Sequence, residues 1–384
     1  MVPSRIARAQ ADLVDAGLDG LVVTHPANIA YLTGLTASSA IAILLHAPRA
    51  TDAAERGAAD AVQCLLIVDS RYAEAAKRIE AASPGLAAQV ATASLDAEAI
   101  TELRRLGARR IGVEAAHLSL ARYNRLLAGL AVQTSPSLES GPGPFLFATE
   151  RFVERRRAVK DRGEIETLRE AGRRISAVAR RARTWIRPGR TEREIAAAVD
   201  SAMRKAGFDR PAFETIVASG PNAALPHARP TGRVVAAGEG VLLDFGGVYD
   251  GYCVDLTRTV HMGPMPDGFR RLFEAVADAQ AAAIAAVRPG ALPIEVDGAA
   301  RRVLARYGLG EAFGHGTGHG LGLEVHEEPR ISPLAPAGEA LQAGMVITIE
   351  PGAYLPGTGG VRIEDDVLVT ADGCELLTEV PIEL

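Results

Sequence analysis

The chain has 384 residues, 48% of them hydrophobic, and a net charge of −5, enough material for two domains with separate cores. That charge, without any basic cluster interleaved with aromatics, gives no support for nucleic-acid binding, and no apolar run is long enough to span a bilayer. Cys64, Cys253 and Cys374 are too few and too scattered for a disulfide framework, so a reducing cytoplasm is the expected compartment.

At the N-terminus, Arg5 and Arg8 interrupt any signal-like stretch, and Ile6 to Ala16 reads as an amphipathic helix. Asp19–Val23, Ala40–Leu45, Cys64–Val68 and Arg110–Glu114 read as strands alternating with helices, which predicts a small α/β domain over residues 1–140. Pro48 to Asp60 reads as a loop or inserted turn, and the Pro, Gly and Ser of Ser135 to Pro144 mark a boundary. Arg151, Arg155, Arg156 and Arg157 form the densest basic run; lying among acids beside a helix, they are expected to make a solvated face. His25, His46, His117 and His261 read as ordinary surface histidines.

From residue 153 to 384 the pattern doubles. Asp161–Trp185 and Asp267–Val287 are long amphipathic helices. Ile186-Arg187-Pro188-Gly189 opens a stretch ending at Gly207, Val287-Arg288-Pro289-Gly290 opens one ending at Gly308, and Glu194 and Glu295 fall at equivalent steps. Each copy precedes an acid-bearing strand pair, so two αβ halves about an approximate two-fold are predicted. In the first half, Val241–Phe245 and Tyr252–Leu256 flank Asp250-Gly251, a type I′ hairpin signal. Pairing Tyr249 with Tyr252 sets Asp255 opposite Gly246 and diagonal to Asp244 on the same face. Two such carboxylates repel unless a cation or a proton lies between them.

In the second half, the strand Gly344 to Ile349 ends in Glu350-Pro351-Gly352, and Gly360 to Asp366 carries Arg362 and Glu364 on one face with Ile363 on the other. Between the halves' acids, Phe313 to Pro329 holds His315, His319 and His326 among alternating glycines, which suits a bulged strand with close backbone approach. Clustered histidines in such a segment point to ligation and proton transfer.

Asp-Phe-Gly at 244–246, Asp-Leu-Thr-Arg-Thr at 255–259, Thr-Gly-His-Gly-Leu-Gly at 317–322, Glu-Pro-Gly at 350–352 and Arg-Ile-Glu-Asp at 362–365 resemble the pita-bread metallopeptidases, the family of methionine aminopeptidase, aminopeptidase P and prolidase. The resemblance implies a pita-bread domain over 153–384, with Asp244, Asp255, His319, Glu350 and Glu364 as ligands of two divalent ions and Asp255 and Glu364 bridging. It assigns His227, His315 and His326 to substrate binding and proton handling. No ligand position departs from the pattern, which argues against a metal-free creatinase. Asn28 to Gly34 resembles the opening of the creatinase-type N-terminal domain, a domain that prolidases and aminopeptidases P carry.

The oxygen-rich donor set suits Mn²⁺ first, with Co²⁺, Zn²⁺ or Fe²⁺ as alternatives. Glu350 is the expected proton acceptor, His326 or His227 the oxyanion partner, and Arg362 joins the catalytic group. The resemblance to the prolidase branch implies that Arg330 occupies the place of a basic residue that meets the free carboxylate of a substrate proline, the alternative being that it caps a loop or pairs with Glu327 or Glu328. The expected protein is a cytoplasmic homodimer that cleaves proline-containing dipeptides. Aminopeptidase P action on longer peptides and a non-catalytic peptide-binding protein of the same fold are the alternatives.

Overall fold

A computed structural model describes residues 2–46, 62–131 and 145–383. The expected turn at Pro48–Asp60 and the boundary at Ser135–Pro144 lie outside the described residues. The chain divides into two units, Met1–Arg156 and Arg157–Leu384.

In the first unit, helix α1 (Val2–Asp15) buries Ile6, Ala9 and Leu13, the stripe its periodicity predicts. Strands β1 (Gly20–Val23), β2 (Ala40–Leu45), β3 (Cys64–Val68), β4 (Leu86–Val90), β5 (Arg110–Glu114) and β6 (Phe145–Thr149) form one mixed sheet in the order β4-β3-β2-β1-β5-β6. Helices α2 (Pro26–Thr33), α3 (Ala73–Ala82), α4 (Leu95–Arg105) and α5 (Leu120–Ala131) connect them. Leu103 and Leu126 pack with Ile41, Ile43 and Ile111 of the sheet. The sequence reading missed β4 and β6. Leu86-Ala87-Ala88-Gln89-Val90 carries more helical than strand propensity and is a strand because it pairs in parallel with β3 along its whole length. A short helix, α6 (Glu154–Ala158), follows β6.

The second unit repeats one motif. Helices α7 (Arg162–Ala179) and α8 (Glu192–Lys205) precede β7 (Arg210–Pro211), β8 (Ile216–Ser219) and the hairpin β9 (Gly240–Tyr249) and β10 (Tyr252–His261). Helices α9 (Asp267–Ala286) and α10 (Pro293–Arg306) precede β11 (Gly318–Gly320), β12 (Glu327–Ile331), β13 (Val346–Ile349), β14 (Gly352–Leu355), β15 (Gly359–Arg362), β16 (Asp365–Val369) and β17 (Cys374–Leu376). The equivalence of Glu194 and Glu295 has a physical basis. Each stands in the first turn of its helix and reaches back to a backbone N–H, of Thr191 at 2.8 Å and of Leu292 at 3.1 Å, satisfying an orphan donor. Gly189 and Gly290 both adopt positive φ, 90° and 82°, as the turns into those helices require.

Two apolar cores form, and the first also takes Leu321, Val346, Leu368 and Leu377 from the second half. Ile175, Ile195, Val199 and Met203 meet Val241, Leu243, Phe245, Val254 and Leu256 in the first; Val276, Ala283, Val296 and Leu304 meet Ile347, Ile349, Ile363, Val367 and Val369 in the second. Alternation along β9 and β10 therefore aims Asp244, Asp255 and Thr257 away from the helices.

Three expectations are corrected here. Helix α7 ends at Ala179 rather than Trp185, giving way to a 3₁₀ turn at Ala182–Thr184 ahead of Pro188. Arg157 is no solvated residue: it is 2% exposed and pairs with Glu324 at 2.8 Å and Glu327 at 2.5 Å. His261 is buried rather than superficial, its Nδ1 2.9 Å from the Gly263 carbonyl. Among the described residues no helix is long and apolar enough to cross a membrane.

Candidate active site

The hairpin forms in the register the sequence predicts. Asp250 and Gly251 take φ of 47° and 82°, Tyr249 pairs with Tyr252, and Asp255 faces Gly246. Gly246 cannot be larger, since a Cβ there would lie 2.4 Å from the Val254 carbonyl oxygen. Asp244 and Asp255 consequently share the inner face, both buried. Glu364 falls between β15 and β16, so the chain bends at the acid; its Oε2 accepts from the Thr257 hydroxyl at 2.6 Å. Buried Arg258 holds that bend from behind, donating to the Glu364 carbonyl at 2.5 Å and to Asp365 Oδ1 at 2.8 Å.

His319 reaches the same place from β11. The register against β12 slips between His319 and Gly320, the bulge expected from the alternating glycines. A Cβ on Gly318 would sit 1.9 Å from the Thr348 carbonyl oxygen, and one on Gly320 2.0 Å from that of Glu328. Close packing of three backbones thus fixes the imidazole. Its Nδ1 lies 3.0 Å from the Gly320 carbonyl, which assigns the proton to Nδ1 and leaves the Nε2 lone pair facing the acids. Nε2 is 3.4 Å from Glu350 Oε1. Asp255, His319 and Glu364 each offer a donor atom within 4.8 Å of the others'.

Electrostatically the cluster is short of positive charge. Burial first, and then Asp244 and Asp366, raise the Asp255 carboxyl well above the usual range; burial and Asp255 do the same to Glu364. Burial lifts Glu350 to about 8 against the opposing pull of Arg362. His319 is pushed down to about 4 by burial and by His326. Burial thus disfavours the charged form of both His319 and Glu350 in the metal-free protein. Asp244 Oδ1 and Asp255 Oδ1 are buried without a hydrogen-bond partner. Buried like-charged carboxylates with orphan oxygens beside an imidazole lone pair match what a divalent cation needs.

The remaining predicted residues surround this core. Arg362, 2% exposed, pairs with Asp244 and donates to the Tyr354 hydroxyl at 2.7 Å. Tyr354 is 2.8 Å from His315 Nε2, while His315 Nδ1 faces the Gly316 carbonyl at 2.8 Å. Both ring nitrogens of His315 are thus committed internally, and burial, with Arg362, lowers its pKa to about 4. His326 and His227 lie at the exposed rim. The His326 ring is edge-on to His319 at 4.4 Å, and its pKa is lowered by burial and by His227. Arg330 is exposed and stands opposite His319 across the β11–β12 pair. Glu327, one partner suggested for it, is held instead by Arg157 and by Lys160 at 3.3 Å.

Sequence reasoning missed Tyr354, Asp366 and Asp297. Asp366 accepts from the Asp255 backbone N–H at 3.0 Å, and Asp297 accepts from the Thr317 hydroxyl at 2.9 Å and from Arg301 at 2.7 Å. For Asp366 the signal was present as the second acid after Glu364; Tyr354 carried none.

The raised carboxyls make a pH prediction. A group whose folded pKa is raised binds protons on folding, so its contribution to stability falls as pH climbs from the unfolded to the folded value. For Glu350 that window runs from 4.5 to about 8. Metal-free protein is expected to lose thermal stability between about pH 5 and pH 8 and to regain it on adding Mn²⁺ at the upper end. A melting temperature that holds level or rises across the window without metal would exclude the like-charge account.

Residues 166–371 match metallopeptidase family M24, and residues 5–141 match the creatinase/prolidase N-terminal domain. The chain is 42% identical over 228 residues to the Xaa-Pro dipeptidase of Pyrococcus furiosus, covering 59% of this chain and 65% of that protein. Its structure resembles an Xaa-Pro dipeptidase from Bacillus anthracis (TM-score 0.88, 31% identity, 100% of this chain and 99% of the other). It also resembles an X-Pro aminopeptidase from Thermotoga maritima (TM-score 0.82, 32% identity, 98% and 99%). The fold is thus the mixed α/β architecture expected, with a pita-bread C-terminal unit. The chain belongs to metallopeptidase family M24, and membership implies binding of divalent metal.

Proposed function

We propose that the protein is a cytoplasmic, homodimeric Xaa-Pro dipeptidase in which Asp244, Asp255, His319, Glu350 and Glu364 hold two divalent ions, Mn²⁺ by preference. In this reading residues 1–140 form the N-terminal domain and 153–384 the catalytic one. The observation that carries it is the buried convergence of Asp255, His319 and Glu364, whose carboxylates lack the positive charge that would let them ionise. Bound there, the ions would supply a water acidic enough to act as nucleophile at neutral pH and a Lewis acid for the scissile carbonyl.

The chain's own groups do the rest. Glu350, placed by its backbone N–H donating to Thr317 at 2.7 Å, carries a proton to the leaving proline nitrogen. His326 and His227, at the rim, donate to the developing oxyanion. Arg362 fixes Asp244, and through Tyr354 fixes His315, which makes His315 a positioning residue rather than a proton carrier. Support for a dipeptide substrate comes from the named dipeptidases among the relatives. The aminopeptidase neighbour makes cleavage of longer Xaa-Pro peptides the second reading.

The test is a panel of Xaa-Pro dipeptides, Xaa-Pro-Yaa tripeptides and Met-Ala peptides, assayed after chelation and after adding back Mn²⁺ or Co²⁺. Dipeptide hydrolysis that vanishes with chelator and returns with metal is expected. Full activity in metal-free protein ends the proposal, and preferential tripeptide cleavage moves it to the aminopeptidase reading. Arg330 sharpens the distinction. Arg330→Ala is expected to lower kcat/KM on dipeptides by about 1.5–3 kcal/mol, the scale of a charge-assisted hydrogen bond to the substrate carboxylate. Tripeptides, whose carboxylate lies elsewhere, should lose far less; equal losses on both would remove Arg330 from carboxylate recognition.

A further inference from the structure

We propose that the first unit carries a separate metal site, in which His25, His117 and Glu154 bind one transition-metal ion of the Zn²⁺ class. The three come from different segments: His25 immediately precedes α2, His117 follows β5, and Glu154 opens α6. Each offers a ligand atom within 4.8 Å of the others'. His117 Nε2 is 3.0 Å from Glu154 Oε1, and the two imidazoles stack with centroids 3.7 Å apart and planes 19° from parallel. Neither histidine reads as an ordinary isolated surface residue once this is seen.

The site is built from below. Buried Glu114, at the end of β5, accepts the backbone N–H groups of Thr24 at 2.6 Å and His25 at 2.9 Å, which fixes the chain where His25 emerges. Its own backbone carbonyl accepts the His117 N–H at 3.2 Å. The fully buried Asn28 side chain donates to Glu114 at 2.7 Å and to Glu154 Oε1 at 2.7 Å. One buried Asn–Glu pair therefore orients all three candidate ligands, the kind of outer support that metal ligands require.

The chemistry favours an ion over the plain alternative, a His117–Glu154 ion pair with His25 stacked on it. Imidazole and carboxylate are both common metal-ligand groups, and here two of the first and one of the second converge from three segments. Two imidazoles and one carboxylate form a borderline donor set typical of Zn²⁺, with bonds of about 2.0–2.2 Å and one position left for water. Donors bound tetrahedrally to one such ion lie about 3.3–3.6 Å apart, so a spread within 4.8 Å closes by side-chain rotations that turn the stacked rings edge-on to the ion. The ion would cross-tie the start of α2, the segment after β5 and the start of α6.

The proposal is tested on the full-length protein, stripped with chelator, equilibrated with Zn²⁺ and desalted. The wild type is expected to retain one more equivalent of Zn²⁺ than the double variant His25→Gln, His117→Gln, whose peptidase activity stays at the wild-type level. Glu364→Gln, which alters only the active-site cluster, should keep that equivalent. A second measurement needs no variant: Zn²⁺ is expected to protect His25 and His117 of the wild type from diethyl pyrocarbonate, read by peptide mass spectrometry. Equal Zn²⁺ content in wild type and double variant, with labelling of both histidines indifferent to Zn²⁺, overturns the site and leaves the stacked ion pair.

Discussion

Asp255→Asn is expected to lower kcat/KM by at least about a thousandfold, yet to leave the metal-free protein at pH 8 as stable as the parent or more so. The first effect follows because Asp255 is one of the three converging donors, and loss of its charge would remove several kcal/mol of metal-assisted transition-state stabilisation. The second follows from its surroundings. Asp255 is buried beside Asp244, Asp366, Glu350 and Glu364, and its ionised form is opposed by burial and by each of them. A neutral amide of the same shape relieves that repulsion, and its N–H₂ finds acceptors among the neighbouring carboxylates. Urea unfolding in chelator, set beside activity with saturating Mn²⁺, separates the two effects. An active variant denies Asp255 its ligand role; an inactive variant that unfolds more easily without metal shows that the carboxylate serves the fold instead.

Among the glycines of the described residues, Gly318→Ala is expected to be the most damaging change to alanine. The added Cβ would meet the Thr348 carbonyl oxygen at 1.9 Å and its carbonyl carbon at 2.7 Å, and neither can move without opening the sheet between β11 and β13. A cost of about 1–3 kcal/mol in stability is expected for such overpacking. Because His319 is the next residue, a displacement near 1 Å would also cost roughly a hundredfold in rate. Gly314→Ala, where nothing lies within 4 Å, serves as the control. If the two variants match in denaturation midpoint and in kcat/KM, the close-packing account of the glycine pattern is wrong.

The parts of the site legible in the sequence are those fixed by short-range rules. The register that sets Asp244 diagonal to Asp255 follows from a two-residue turn and a period of two, and the bulge at His319 follows from glycines that forbid a Cβ. What escaped the reading depends on partners distant in the chain. Arg157 looked like part of a solvated run because its partners Glu324 and Glu327 lie more than 160 residues away. Tyr354 gives no local sign that its hydroxyl joins His315 to Arg362. Strand β4 was hidden because alanine-rich segments follow their neighbours more than their own propensity. The same limit separated His25 and His117, 92 positions apart, until β5 and α2 were seen to converge on Glu114.

The doubled architecture divides the proposed donor set between two stretches of chain. Asp244 and Asp255 belong to the first half, His319, Glu350 and Glu364 to the second, and the helices of each half cover a different apolar layer. Neither half holds a complete set, so affinity for the ions belongs to the pairing of halves rather than to either one. An ion retained by both would act as a clasp: opening one half far enough to expose its backbone would also discard the binding free energy. Cleaving the chain in the turn before α9 would then make two fragments that are inert alone and whose reassociation strengthens with the concentration of free metal.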